Sequence, residues 1–199
     1  MGATGTDRQA PPLVLASSSP RRRELLRQIG VEPHRTASPD IDETPRKGEL
    51  PRPYALRMAM EKAAAVTRDA GEIVLAGDTT VAAGRRIFGQ ARDAAEVSRF
   101  LSILSGRRHR VFGAVAVIDA NGTLRTRVSE TVVRFKRLSD DEIRDYAASG
   151  EGVGKAAGYA IQGRAGALIN FISGSYTGVV GLPLYETRGL LIAAGVLKG

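Results

Sequence analysis

The chain contains no cysteine. Disulfides, thiolate metal sites and a cysteine nucleophile are therefore excluded. Aromatic residues make up 5% of it, too few for the interleaved stacking platforms used by single-strand nucleic-acid binders. The two histidines, His34 and His109, stand far apart without a partner at metal-ligand spacing. Surface or turn positions are expected for both. Apolar runs fall far short of the roughly 20 residues that span a bilayer, and the opening MGATGTDRQAPP lacks the apolar stretch of a signal peptide. The expectation is a soluble, cytoplasmic chain with no membrane partner. Ser17, Ser18 and Ser19 are not set in a serine-hydrolase elbow, so an acyl-enzyme is rejected.

What is present is basic and well supplied with apolar residues. At 199 residues and 43% hydrophobic, the chain can build one sizeable core, or a core with a small subdomain. A net charge of +8 implies an acidic partner such as a nucleotide, RNA or anionic lipid. Charge alone does not choose among them. The stretch LASSSPRRRELLRQIG, residues 15–30, sharpens the question. Ser19 suits a helix N-cap, Pro20 suits the first helical position, Leu25, Leu26 and Ile29 share a face, and Gly30 suits a left-handed stop. Arg21, Arg22 and Arg23 then crowd the first turn, where the free N–H groups already carry about half a positive charge. The arrangement repels itself unless an anion sits there. Two readings stand: a phosphate cradle of backbone N–H groups and forked guanidinium donors, or a solvated, nucleic-acid-friendly face.

Farther along, strands and helices alternate without repeats. A strand ends at Leu15; a long charged loop, SPDIDETPRKGELPRPY, precedes a helix expected over 53–68 with Leu56, Met60, Ala63 and Ala64 inward. Residues 73–76 read as a short buried strand that runs out into a loop at Gly77-Asp78-Thr79-Thr80. Asp93 can cap a helix whose stripe is Val97, Phe100, Leu101 and Leu104, stopped by Gly106. Residues 110–118 and 123–135 read as strands about an Asn121-Gly122 turn. Ser139 to Glu142 form a capping box for a helix reaching Ala148. A glycine-rich segment, a strand over 167–172, a loop and a helix from Pro183 complete the chain. Crossovers mixed with a hairpin give α/β with a mixed sheet.

Three further stretches can carry chemistry. Asp78, at the end of an apolar strand, suits Mg²⁺ or activation of water, or equally a turn aspartate capping Thr80. In DIDET, Asp40, Asp42 and Glu43 concentrate negative charge; they can complete a divalent-metal site bridging phosphates, or form a solvated acidic loop. In GKAAGYAIQGRAG, glycines admit a close ligand, Lys155 supplies a point charge, and Gln162 offers a donor and an acceptor to a base edge.

Taken in order, LASSSPRRRELL, DIDET, GDTTV, LSGRRHRV, YAIQG and GSYTGVVGLPLYET resemble the Maf family of nucleoside triphosphate pyrophosphatases over about residues 13–191. The resemblance implies an elongated α/β fold, with a mixed sheet, flanking helices and a central cleft, related to inosine triphosphate pyrophosphatases. On this reading residues 1–12 are a flexible tail and 13–199 the nucleotide pyrophosphatase domain. It also implies a homodimer, a divalent cation (Mg²⁺, Mn²⁺ or Co²⁺) and hydrolysis of a nucleoside triphosphate to monophosphate and pyrophosphate as nucleotide house-cleaning. Some members are linked to arrest of cell division.

Residue by residue, Ser19, Arg21 and Arg22 match the SPRR motif, so the crowded cations would meet a triphosphate, with Arg22 neutralising charge as the bond to the α-phosphorus breaks. Asp78 matches the proton acceptor and, with Glu43, would hold the metal; Glu43 and Lys62 match further cleft positions, and Lys155 matches the lysine of DKAG. Arg23 lies outside the signature. Arg21, Thr79 and Gln162 match the branch that prefers dTTP and UTP over 7-methyl-GTP. This sequence departs from the family at Gln90, where a phosphate-facing lysine is common, at Gly154, where many members have aspartate, and at Phe112 and Gly113, which replace threonine-glycine. Arg92 is the nearest cation in sequence able to replace the missing lysine. The competing class is a basic RNA-binding or cell-division regulatory protein on a degenerate nucleotidase scaffold; no specific nucleic-acid partner is expected.

Overall fold

The structure, a computed structural model, describes residues 10–199; most of the expected tail over 1–12 lies outside the described residues. The elements in chain order are β1 (Leu13–Ala16), α1 (Pro20–Gln28), β2 (Arg35–Ala37), α2 (Pro51–Ala64), β3 (Ile73–Ala83), β4 (Arg86–Phe88), α3 (Ala94–Leu104), β5 (Arg108–Ile118), β6 (Leu124–Phe135), α4 (Asp140–Ala148), β7 (Ile169–Ser173), α5 (Tyr176–Val180) and α6 (Leu184–Ala193). They form the expected mixed sheet with flanking helices. Its order is β2-β1-β3-β5-β6-β7, with β4 paired to β3. β1 runs parallel to β2 and β3, and β3, β5, β6 and β7 pair antiparallel.

Period-2 alternation decides which helices cover which face. Leu13, Leu15, Ile73, Leu75, Val115 and Val117 point to one side, where Leu25 and Leu26 of α1 and Leu190 and Leu191 of α6 meet them. Each fully buried leucine there contributes about 1.5–3 kcal/mol relative to exposure. Val14, Ala16, Val74, Ala76, Ala114 and Ala116 point to the other side, against Ala55, Ala59 and Ala63 of α2. Small residues on both partners let that helix lie close to the sheet. The far halves of the long strands enter a second core, in which Val81, Val111, Val133 and Phe135 pack with Val97, Phe100, Leu101 and Leu104 of α3 and Ile143 and Tyr146 of α4.

Several expectations are corrected. β3 does not end before Asp78 but continues through it to Ala83, because Asp78 pairs with Ala114 of β5 and the ladder is unbroken. α2 spans Pro51–Ala64 rather than 53–68: Pro51 takes the N-terminal position with Leu50 as cap, and Pro53 is tolerated because first-turn N–H groups have no intrahelical partner. Its buried face is Pro51, Tyr54, Ala55, Met58, Ala59, Lys62 and Ala63, so Leu56 and Met60 are only half-buried and Ala64 is exposed. A buried lysine within the stripe disguised its phase. Ser19 occupies the N-cap of α1, yet its side chain makes no capping bond. β7 follows a 3₁₀ turn over Arg164–Leu168, and the following segment, expected as loop, contains α5. The caps at Asp93 and Ser139 form as expected, accepting from Glu96 N–H and Glu142 N–H.

Candidate active site

Where β3 passes from one core to the other, a cleft of about 450 Å³ opens over it. Ser19, Arg21, Arg22, Glu43, Lys62, Asp78, Thr79, Lys155 and Gln162 all line it, so residues up to 143 positions apart share one cavity. Gln90 and Gly154 line it too, whereas Asp40, Asp42, Arg23 and Arg92 do not. Arg23 pairs with Glu32 on the surface. The Arg92 side chain is 83% exposed, bonded to Glu96 and outside the cleft lining, so it takes no part in the cleft as it stands.

The acidic end is built around Lys62. Its ammonium lies 2.9 Å from Asp78 Oδ1 and 3.0 Å from Glu43 Oε2. Lys62 and Asp78 are buried, and an unpaired charge there would be costly, so each stabilises the other. Thr80, two residues on along the same strand face, donates its hydroxyl to Asp78 Oδ2 at 2.7 Å. A carboxylate offers about four acceptor sites. With two taken, Asp78 retains capacity to accept a hydrogen bond from water.

The basic end is held by main chain. Arg22 Nε donates to Gly181 O at 2.9 Å and its Nη1 to Ser17 Oγ at 3.0 Å. Arg21 Nε donates to Val180 O at 3.3 Å, and Thr79 Oγ1 to Gly181 O at 3.4 Å. Gly77 keeps this space open: a Cβ there would lie 3.3 Å from Arg22 Nε and 3.1 Å from Leu182 Cδ1. Burial pulls the Arg22 guanidinium below its ordinary pKa, and the Asp78 charge works against that shift. Burial also lowers Arg21. Lys155 is lowered first by burial and then by the neighbouring Arg21 charge. Three desolvated cations that repel one another make a receptor for a polyanion.

Lys155 reaches the cleft because its loop pairs with the loop of Gln90. Ala91 N–H donates to Lys155 O at 3.0 Å and Ala157 N–H to Gly89 O at 3.0 Å, an antiparallel bridge of Gln90 with Ala156, and Gly154 N–H adds a bond to Ala91 O at 2.8 Å. Beyond it lie Phe88, Tyr159, Ala160, Val179 and Gln162, an apolar lining with one carboxamide. α5 is seated by close approach, since a Cβ on Gly113 would lie 2.9 Å from Ser129 Oγ and 3.2 Å from Gly178 Cα. A threonine-glycine to Phe112-Gly113 change therefore leaves the packing glycine in place.

The Maf-like protein family model matches residues 12–194. This chain belongs to the Maf family. Among curated relatives, the "dTTP/UTP pyrophosphatase" of Sphingopyxis alaskensis is 59% identical over 189 residues, covering 95% of this chain and 100% of that one. The "dTTP/UTP pyrophosphatase" of Novosphingobium aromaticivorans is 60% identical over 189 residues, 94% of each chain. Among solved structures, the Ham1 protein of Staphylococcus aureus is 15% identical with a TM-score of 0.48, over 92% of this chain and 96% of that one.

Within this Maf protein, four residues that the motifs contain but give no role also build the cleft: Ser17, Thr80, Val180 and Gly181. Ser17 is buried and serves Arg22 and the N–H of Ser19, at 3.1 Å. Thr80 was legible as the i+2 neighbour of Asp78 on one strand face. The carbonyls of Val180 and Gly181 carry no side-chain signal. His109, expected at a surface or turn, is 2% exposed; Nε2 meets Tyr159 OH at 2.8 Å and Nδ1 has no partner among the described residues. Burial pushes its pKa down to about 4, so it is a neutral core residue at pH 7.

Proposed function

We propose that this Maf protein hydrolyses dTTP and UTP to the monophosphate and pyrophosphate. The observation that carries the reading is the opposition, inside one cleft, of a buried carboxylate pinned by Lys62 and Thr80 to the cationic cluster of Arg21, Arg22 and Lys155. Relatives at 59–60% identity that bear the name of this activity support it, and they do not favour the alternative of a basic RNA-binding or regulatory scaffold.

Asp78 accepts a proton from water, whose oxygen attacks the α-phosphorus; the bond from that phosphorus to the bridging oxygen breaks and pyrophosphate leaves. Arg22, Arg21 and Lys155 hold the phosphates and neutralise the charge that gathers on the leaving group. Ser19 lies at the mouth of the α1 N-terminus, where backbone N–H groups favour an anion. Gln162, with both a donor and an acceptor, suits the alternating carbonyl and N–H groups of a pyrimidine, and Arg21 and Thr79 complete the selective set.

A divalent cation (Mg²⁺, Mn²⁺ or Co²⁺) belongs to this reading. Among the described residues no group of three or more His, Asp or Glu side chains gathers as a ready cage. Glu43 and Asp78, however, already flank one positive charge, that of Lys62. One or two carboxylates completed by substrate phosphates is how Mg²⁺ is usually held, so the residues fit. When bound, the cation supplies charge neutralisation and acidifies water.

A panel of nucleotides with pyrophosphate detection, with and without Mg²⁺, tests the reading. dTTP and UTP should have the highest kcat/KM. A methylated purine as best substrate, or no pyrophosphate from any triphosphate, overturns it. Action on the cytoplasmic pool and assembly as a homodimer belong to the same proposal; light scattering of the purified protein checks the second. No helix among the described residues is long and apolar enough to cross a membrane.

A further inference from the structure

Glu43 belongs to no helix or strand. It sits in the segment 38–50, which joins β2 to α2 without regular structure. Such a segment needs fastening if a carboxylate on it is to act at a defined place, because a misplacement of about 1 Å is enough to impair catalysis. α2 supplies the fastening from two consecutive turns. Tyr54 donates its hydroxyl to Glu43 O at 2.8 Å; burial, reinforced by the charges of Asp78 and Glu43, raises its pKa and keeps it a donor. Arg57, whose side chain is 13% exposed, places Nε and Nη2 each 2.7 Å from the two Glu49 oxygens. The same guanidinium donates to Thr44 O at 3.1 Å and to Glu61 Oε2 at 3.1 Å. Its five-donor fork thus grips the residue after Glu43, the foot of the loop and its own helix. Glu49, drawn down to about 2 chiefly by Arg57, is ionised throughout the working range. Arg57, Glu49 and Thr44 do not line the cleft, so substrate contact does not explain so costly an arrangement.

We propose that Arg57 and Tyr54 are positioning residues that hold Glu43 against Lys62 and Asp78 by clamping the 38–50 loop to α2. The inference rests on the proposed role of Glu43 in holding the divalent cation, but its first readout does not. Hydrogen exchange on the intact protein, without nucleotide or metal, should show the amides of 38–50 exchanging roughly tenfold or more faster in Arg57→Ala, with Arg57→Lys between it and the parent, because lysine keeps the charge but not the fork. Tyr54→Phe should accelerate the amides around Glu43 alone. The β3 and β5 amides should be unchanged, which separates loosening of the loop from loss of fold. In dTTP hydrolysis Arg57→Ala should raise the Mg²⁺ concentration for half-maximal rate by about fivefold or more, and have no further effect in a Glu43→Gln background. Exchange in 38–50 equal to the parent in both Arg57→Ala and Tyr54→Phe overturns the clamp. Faster exchange combined with full additivity to Glu43→Gln overturns its action through Glu43.

Discussion

Asp78→Asn changes the charge at the centre of the cleft while keeping the shape, and the contacts around it set two separate magnitudes. The amide can present oxygen to Lys62 and its NH₂ to the Thr80 hydroxyl, which can turn to accept, so the fold should survive. Removing one partner of a buried ion pair typically costs about 3–5 kcal/mol. Here Glu43 stays 3.0 Å from Lys62 Nζ and its side chain is 47% exposed, so the solvated partner relieves part of that loss. We expect a cost of about 2–3 kcal/mol, or roughly 4–12 °C in Tm for a chain of this size. Turnover of dTTP should fall by about 10²–10⁴, the range for losing a general base. Adding Lys62→Met removes the stranded ammonium. The double variant should regain stability to within about 1 kcal/mol of the parent and remain as inactive as the single one. Thermal melts and steady-state pyrophosphate release read the two quantities independently. Parental turnover in Asp78→Asn refutes the general-base assignment; a double variant no more stable than Asp78→Asn refutes the ion-pair argument.

Gln162→Glu should erode the preference of dTTP over GTP by about 1–3 kcal/mol in kcat/KM, the worth of one mismatched base-edge contact; an unchanged ratio means that Gln162 does not read the base. Because Gln90 lines the cleft and Arg92 does not, Gln90→Lys should raise kcat/KM by up to about tenfold, while Arg92→Ala at fixed ionic strength leaves it unaltered. A loss of activity in Arg92→Ala would show that Arg92 reaches the substrate after all. His109 has a folded pKa of about 4 against about 6.5 unfolded. The unfolded chain therefore takes up a proton first as pH falls: stability is whole above pH 6.5 and erodes toward pH 4 by up to about 3 kcal/mol. His109→Gln should flatten urea-derived stability between about pH 6.5 and 5, above the region near the unfolded carboxylate pKa where Glu49 and Glu72, both drawn down to about 2 by arginine partners, begin to lose their contribution.

Much of the site was legible because the chemistry is carried by charged side chains in short motifs, and all nine nominated residues meet in the cleft. Asp78 lies in the cleft, but not for the local reason the sequence offers. A carboxylate after an apolar run reads as the end of a strand, whereas the partner strand β5 carries the ladder past it and Lys62 makes its burial tolerable. The same lysine hid the phase of α2, since a charge on the buried face looks like a break in the stripe. His109 reads as a surface residue because nothing local announces that Phe135 and Tyr159 will enclose it. Arg92 is near Gln90 in sequence but not in the cleft lining, because proximity in sequence ignores direction: Glu96, one helical turn on, takes its guanidinium.

The two cleft arginines proposed to hold the phosphates are anchored by carbonyls 159 residues later in the chain, Arg21 by Val180 and Arg22 by Gly181. Contacts of such span are the last to be made when a polypeptide is synthesised from its N-terminus, and long-range closures also slow folding. Strands β1 and β3, with Asp78 upon them, can emerge from the ribosome long before α5 exists. Until Val180 and Gly181 arrive, Arg21 and Arg22 lack their main-chain acceptors, and under the proposed function an unfinished chain would be poorly equipped to draw on the triphosphate pool from which its own messenger RNA was made.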